Sequence, residues 1–210
     1  MKKKWILILG ILIGLASLSS CASYKPMAVV PDLGQNDETV NIRKDGIIAI
    51  AYPIRKAEDV KKYFDYSGLV RDGVLPVYIS VANTSNQESV KILLSLESPN
   101  GENVKPLSAE DVYPILKKGW LLRAGAWSLL WIPLAPISMI DTAMENKKVM
   151  KDIKGKQFKE EIAPGLISQG YVFFKINEEI KTLNGFWLAI SFGDGRILDK
   201  LPLKGSITAD

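Results

Sequence analysis

A chain of 210 residues with no histidine and a single cysteine has few catalytic chemistries open to it. Ser-His-Asp and Cys-His catalysis are excluded, as are imidazole-bound zinc and copper sites and any disulfide within the chain. The formal charge is +4, from 27 Lys and Arg against 23 Asp and Glu, and so even a balance predicts no nucleic-acid partner.

The chain opens MKKKWILILGILIGLASLSSC. Three lysines precede an apolar run from Trp5 to Leu18, too short for a comfortable bilayer span and the right length for a signal-peptide core. Leu18-Ser19-Ser20-Cys21 resembles a bacterial lipobox. That resemblance implies diacylglyceryl transfer to the Cys21 thiol, cleavage before Cys21 and acylation of the new amine. Residues 1–20 are then a lipoprotein signal peptide, and Cys21 is the lipidation site that fixes the chain to a membrane. Two or three acyl chains anchor stably where one binds marginally. The expected location is the cell envelope, lipid-anchored; with no Asp after Cys21, it is the outer membrane where the host has one. Losing Lys2, Lys3 and Lys4 leaves 24 basic residues against 23 acidic, so the basic character lies mostly in the discarded segment.

Residues 21–38 read as a lipidated amino terminus and tether, with two prolines and no sustained period between Tyr24 and Glu38. The remaining length suits one core. TVNIRKDGIIAIAYP holds two β-rich runs about a Lys44-Asp45-Gly46 turn. Arg55 to Phe64 has a helical rhythm, with Val60 and Phe64 four apart and Glu58 and Asp59 in the first turn. Val74 to Asn83 alternates, with Val77, Ile79 and Val81 on one face and Tyr78, Ser80 and Ala82 on the other. Val90, Ile92, Leu94 and Leu96 repeat the pattern before a Ser98-Pro99-Asn100-Gly101 turn.

Residues 108–157 interrupt the strands and are expected to form a hydrophobic helical insertion. Ser108 with Asp111 three residues on makes a short-armed capping box, and Pro114 is expected to limit the helix early. Gly119 to Ile140 carries three of the five tryptophans and one charge, Arg123. On a helix at about 100° per residue, Trp120, Trp127 and Trp131 fall within about 40° of one another. Pro133 and Pro136 break this run, and a second, amphipathic helix follows whose outer face is basic, with Lys147, Lys148, Lys151, Lys154, then Lys156 and Lys159, against Glu145 and Asp152. The pair reads as an apolar αα-hairpin. The tryptophan run admits three placements. The prolines leave about 14 regular residues, roughly 21 Å, short of a span. An interfacial hairpin would set the tryptophans in the headgroup zone and the lysines near lipid phosphate. A hairpin folded on the sheet, or on a second copy, would bury them.

Strand signals return at Phe158 to Ile162, Gly170 to Ile176 and Gly185 to Phe192, and a Gly193-Asp194-Gly195 turn leads into Arg196 to Leu203. Seven or eight short strands with such turns predict a mainly β protein built as an antiparallel sandwich over 39–107 and 158–210. VLPVYISVANTSNQESVKILLSLESPNGENVKPLS, IAPGLISQGYVFFKI and GFWLAISFGDG resemble immunoglobulin-like sandwich domains of uncharacterised bacterial lipoproteins. The likeness covers roughly 45–107 and 158–203 and rests on turns, so it implies the immunoglobulin-like fold and no activity.

The functional expectation is a non-catalytic envelope lipoprotein. No phosphate-binding glycine loop and no Ser-x-x-Lys pair occurs, and no cofactor or metal is called for. Cys21 anchors; Trp120, Arg123, Trp127 and Trp131, assisted by Lys147, Lys148 and Lys151, make a second contact with membrane or a protein partner. The alternative is a carrier of a lipid or hydrophobic small molecule, with the hairpin as lid over a pocket between sheets.

Overall fold

A computed structural model describes residues 30–31, 40–85, 88–117 and 147–208. The elements are β1 (Val40–Lys44), β2 (Ile47–Pro53), α1 (Ala57–Phe64), β3 (Val74–Asn83), β4 (Val90–Glu97), β5 (Asn103–Val104), β6 (Pro106–Leu107), β7 (Glu161–Ile162), β8 (Ile167–Lys175), β9 (Trp187–Phe192) and β10 (Ile197–Pro202). Two further stretches, 109–117 and 147–156, are helical. One sheet has the order β1-β2-β3-β8-β6, the other β10-β9-β4-β5, and β7 pairs with β4. The strands pair antiparallel throughout.

The elements follow from local chemistry. Asp45 and Gly46 both take positive φ, 50° and 74°, the conformation a two-residue hairpin between right-twisted strands requires. The helix α1 carries Glu58 and Asp59 in its first turn and buries Ala57, Val60, Tyr63 and Phe64 along one stripe. It ends at Asp65, whose left-handed backbone donates its N–H to the Lys61 carbonyl. The short strands β5 and β6, absent from the sequence expectation, are where the chain changes sheets. Asn103 and Val104 pair with β4, and two residues later Pro106 and Leu107 pair with β8.

Alternation places Ala49, Ala51, Val77, Ile79, Val81, Val172 and Phe174 of the first sheet opposite Ile92, Leu94, Leu96, Leu188 and Ile190 of the second, and all are buried. Burying a side chain of this size contributes about 1.5–3 kcal/mol. The other face of the first sheet is also covered. Tyr52, Tyr78 and Tyr171 stand in register across β2, β3 and β8. Phe64 sits edge-on to Tyr171 and Phe173, with ring centroids 4.9 and 5.5 Å apart. The strand β3 is therefore buried on both faces along its first six residues.

Candidate functional site

The helical stretches at 109–117 and 147–156 stand on that second face. Their start is chemically marked. The Ser108 hydroxyl accepts the Asp111 N–H at 3.2 Å, and the Asp111 carboxylate accepts the Ser108 N–H at 3.0 Å, so the reciprocal cap read from sequence is formed. These bonds hold the Asp111 carboxyl below the usual range, the side-chain bond to Ser108 contributing most. The first stretch runs on through Pro114, where an early limit was expected. Ala109, Val112 and Leu116 are buried on the core side, and their packing outweighs the hydrogen bond that proline removes.

The insertion leaves and rejoins the sandwich along one edge of β8. Leu107 pairs with Phe173 and Gln157 bridges to Tyr171. The returning chain passes directly over Gly170: a Cβ there would lie 2.5 Å from the Lys156 carbonyl oxygen and 2.7 Å from the Phe158 nitrogen. Glycine is required here for close approach of two backbones. Near the base the Lys154 ammonium meets the Glu110 carboxylate at 2.7 Å. That bond is the main reason the Glu110 carboxyl lies below the usual range. It ties the beginning of the first stretch to the end of the second, so the two run in opposite directions.

Val149, Ile153 and Lys156 form the buried stripe of the second stretch. Lys156 was expected on the outer basic face; it is 2% exposed. Its ammonium donates to the Tyr63 carbonyl at 2.8 Å and to the Asp152 carboxylate, and it lies 5.8 Å from the centre of the Phe64 ring. The spacing 149, 153, 156 was the available signal, since it puts Lys156 on the apolar stripe. Beside it the Tyr171 hydroxyl is buried and has no hydrogen-bond partner among the described residues. Burial foremost, then the neighbouring Tyr63, Tyr78 and Asp152, push its phenol strongly up.

The opposite face of this helical pair is open. Lys147, Lys148 and Lys151 are exposed, as expected. Tyr113 and Met150, half-buried, floor a shallow groove of about 530 Å³ flanked by Lys147, Lys151 and Lys154. Neither Tyr113 nor the role of Met150 as floor was foreseen. Cys21, Trp120, Arg123, Trp127 and Trp131 lie outside the described residues.

Two other hollows are lined by described residues. A cleft of about 630 Å³ opens among the loops around 98–102 and 175–186, with Val104, Ile176, Ile180 and Phe186 as its apolar part. It is not under the helical pair, where the carrier reading put its lid. A smaller one, about 340 Å³, lies at the foot of the insertion between Leu94, Leu107, Phe158 and Val172. Among the described residues no cluster of three Asp, Glu, His or Cys could hold a metal, and no helix is long and apolar enough to cross a membrane.

The fold and these surfaces define the class only broadly: a mainly β protein of two antiparallel sheets with a few helices. No family model matches the chain, and no curated protein or solved structure matches it.

Proposed function

We propose that the chain is a non-catalytic, lipid-anchored envelope protein with an immunoglobulin-like body, whose inserted apolar αα-hairpin makes a second contact with a membrane. The observation that carries the contact is the helical pair itself. Its inner stripe and Lys156 are packed into the body, its outer side bears lysines over a half-buried apolar floor, and both its arms lead into the tryptophan-rich segment. Strand order supports the immunoglobulin-like reading. With β1 set aside as an added edge, β2-β3-β8-β6 follows the A-B-E-D order and β10-β9-β4-β5 the G-F-C order with one strand added beside C. The insertion then occupies the D–E connection. The LSSC box supports lipidation of Cys21 and residence in the cell envelope.

The test uses the chain's own fluorescence. Replacing Trp5 and Trp187 with Phe leaves Trp120, Trp127 and Trp131 as the only indoles. The full chain is bound to vesicles containing lipids brominated along the acyl chain. The reading expects strong quenching of the remaining emission, with Arg123 and the lysines near the headgroups. Unquenched emission from vesicle-bound chain contradicts it. Incorporation of labelled palmitate, lost in Cys21→Ala, tests the anchor separately.

The loop cleft favours a second reading as a carrier of a hydrophobic small molecule, since its volume lies in the range of ligand pockets. Native mass spectrometry of the purified chain would then find a bound mass that Phe186→Trp reduces; a bare chain contradicts it.

A further inference from the structure

We infer that the groove between the two helical stretches is a docking surface for a layer of anionic lipid headgroups, with Lys147 and Lys151 as its phosphate contacts and Tyr113 and Met150 as its apolar floor. The inference rests on the membrane-contact reading above and adds to it the partner's charge and four residues of the body.

Charge is sorted along this helical pair. Among the described residues its acids are engaged: Asp111 closes the cap, Glu110 takes Lys154, and Asp152 takes Lys156. Among the described residues no carboxylate lines the groove beside Lys147 and Lys151. Lys147 and Lys151 stand four apart on one side of the floor and both are exposed, so their stems lie along it and their ammonium groups reach past it. An apolar strip edged by flexible cations matches the boundary of an anionic bilayer, where acyl chains meet a plane of phosphates. A protein partner would be expected to find a deeper pocket for an anchoring side chain, whereas this groove is shallow and wide.

The surface is also held in place. The buried Lys156, donating to the Tyr63 carbonyl, fixes the second stretch to α1, and the backbone crossing at Gly170 fixes its end to β8. The groove therefore presents its lysines in a set arrangement. From Cys21 to Val30 the chain spans about 30 Å when fully extended. A body so leashed can turn this face to the surface that holds Cys21.

The experiment places one thiol in the groove. The full chain with Cys21→Ala and Met150→Cys carries a polarity-sensitive fluorophore and is titrated with phosphatidylglycerol or phosphatidylcholine vesicles. The expected result is a blue shift with phosphatidylglycerol that weakens with salt. Lys147→Gln with Lys151→Gln should reduce the docked-to-undocked ratio about thirtyfold, at about fivefold per lysine. A probe as wet on phosphatidylglycerol as in buffer overturns the inference, as does an equal shift on phosphatidylcholine. A probe already shielded in buffer overturns it too, because another part of the chain or a second copy then fills the groove. So does a shift with polyglutamate but not with vesicles, which would mark a protein site. If Trp120, Trp127 and Trp131 are quenched by brominated lipid while the Met150 probe stays wet, membrane contact stands and this surface fails alone.

Discussion

β3 and β4 are neighbours in sequence and look alike on paper, both alternating runs rich in Val, Ile and Leu, yet they live in different surroundings. From Ile92 on, every second residue of β4 is buried and the others are half-buried. The first six residues of β3 are buried without alternation. The difference comes from what lies behind each sheet. The first sheet is covered on its far face by α1 and the feet of the insertion, while the second sheet exposes Trp187 to 40% and Ile197 to 57%. A strand's own pattern tells which residues share a face; it does not tell how many of its faces will be covered. The insertion is thus a structural layer of the body as well as the candidate contact.

The sharpest way to break this comparison is to truncate one large side chain behind each sheet. Phe64→Ala, behind the first, should lose about 3–5 kcal/mol. Trp187→Thr, behind the second, should change stability by no more than about 0.5 kcal/mol. Equilibrium denaturation followed by circular dichroism checks both, and equal losses would erase the distinction. Gly170→Ala should cost about 1–3 kcal/mol, because two backbones would have to separate; hydrogen exchange should show the loss concentrated in 147–158 and β8.

Two tyrosines of the same cluster should move in opposite directions. Tyr78 donates its hydroxyl to the Gln169 side chain at 3.2 Å, and Tyr171 has a buried hydroxyl with no acceptor among the described residues. Tyr78→Phe should therefore destabilise by about 1 kcal/mol and Tyr171→Phe should stabilise by a similar amount, about 1 kcal/mol. Losses in both would mean that the Tyr171 hydroxyl has an acceptor after all.

The smallest effect is one of pH. Asp111 has its folded pKa below the unfolded aspartate value of about 3.9. Its cap therefore contributes stability above that pH and loses it as pH falls through the lower folded value. Acid titration should fray the start of 109–117 only below the ordinary aspartate range, and Ser108→Ala should shift that fraying to higher pH. Amide shifts of Asp111 and Val112 report it.

Much of this was legible because it is local. Asp45-Gly46 specifies its turn, Val60 and Phe64 with Glu58 and Asp59 specify α1, and Ser108 with Asp111 specifies a helix start. The crossing from β5 to β6 was hidden, since strands of two residues have no period to read. The burial of Tyr78 was hidden because the layer over its sheet is assembled from α1 and from the insertion's helical stretches, which no pattern within β3 announces. Lys156 was misplaced because a lysine reads as solvent-facing until a carbonyl and a carboxylate are seen to converge on it. At the candidate site the exposure of Lys147, Lys148 and Lys151 was foreseen, and the groove floor was not. Tyr113 belongs to one helical stretch and Met150 to another, and only their packing brings them together.

The central claim is that the insertion is built into the body through the buried Lys156, whose ammonium donates to the Tyr63 carbonyl and is balanced by Asp152 of its own stretch. A double-mutant cycle by equilibrium denaturation tests it most directly. Asp152→Ala should cost about 3–5 kcal/mol by stranding a buried ammonium, and Asp152→Leu with Lys156→Met should return to within about 1 kcal/mol of the parent. Two small and additive losses would contradict it, and would make the insertion a loosely attached appendage rather than a layer of the fold.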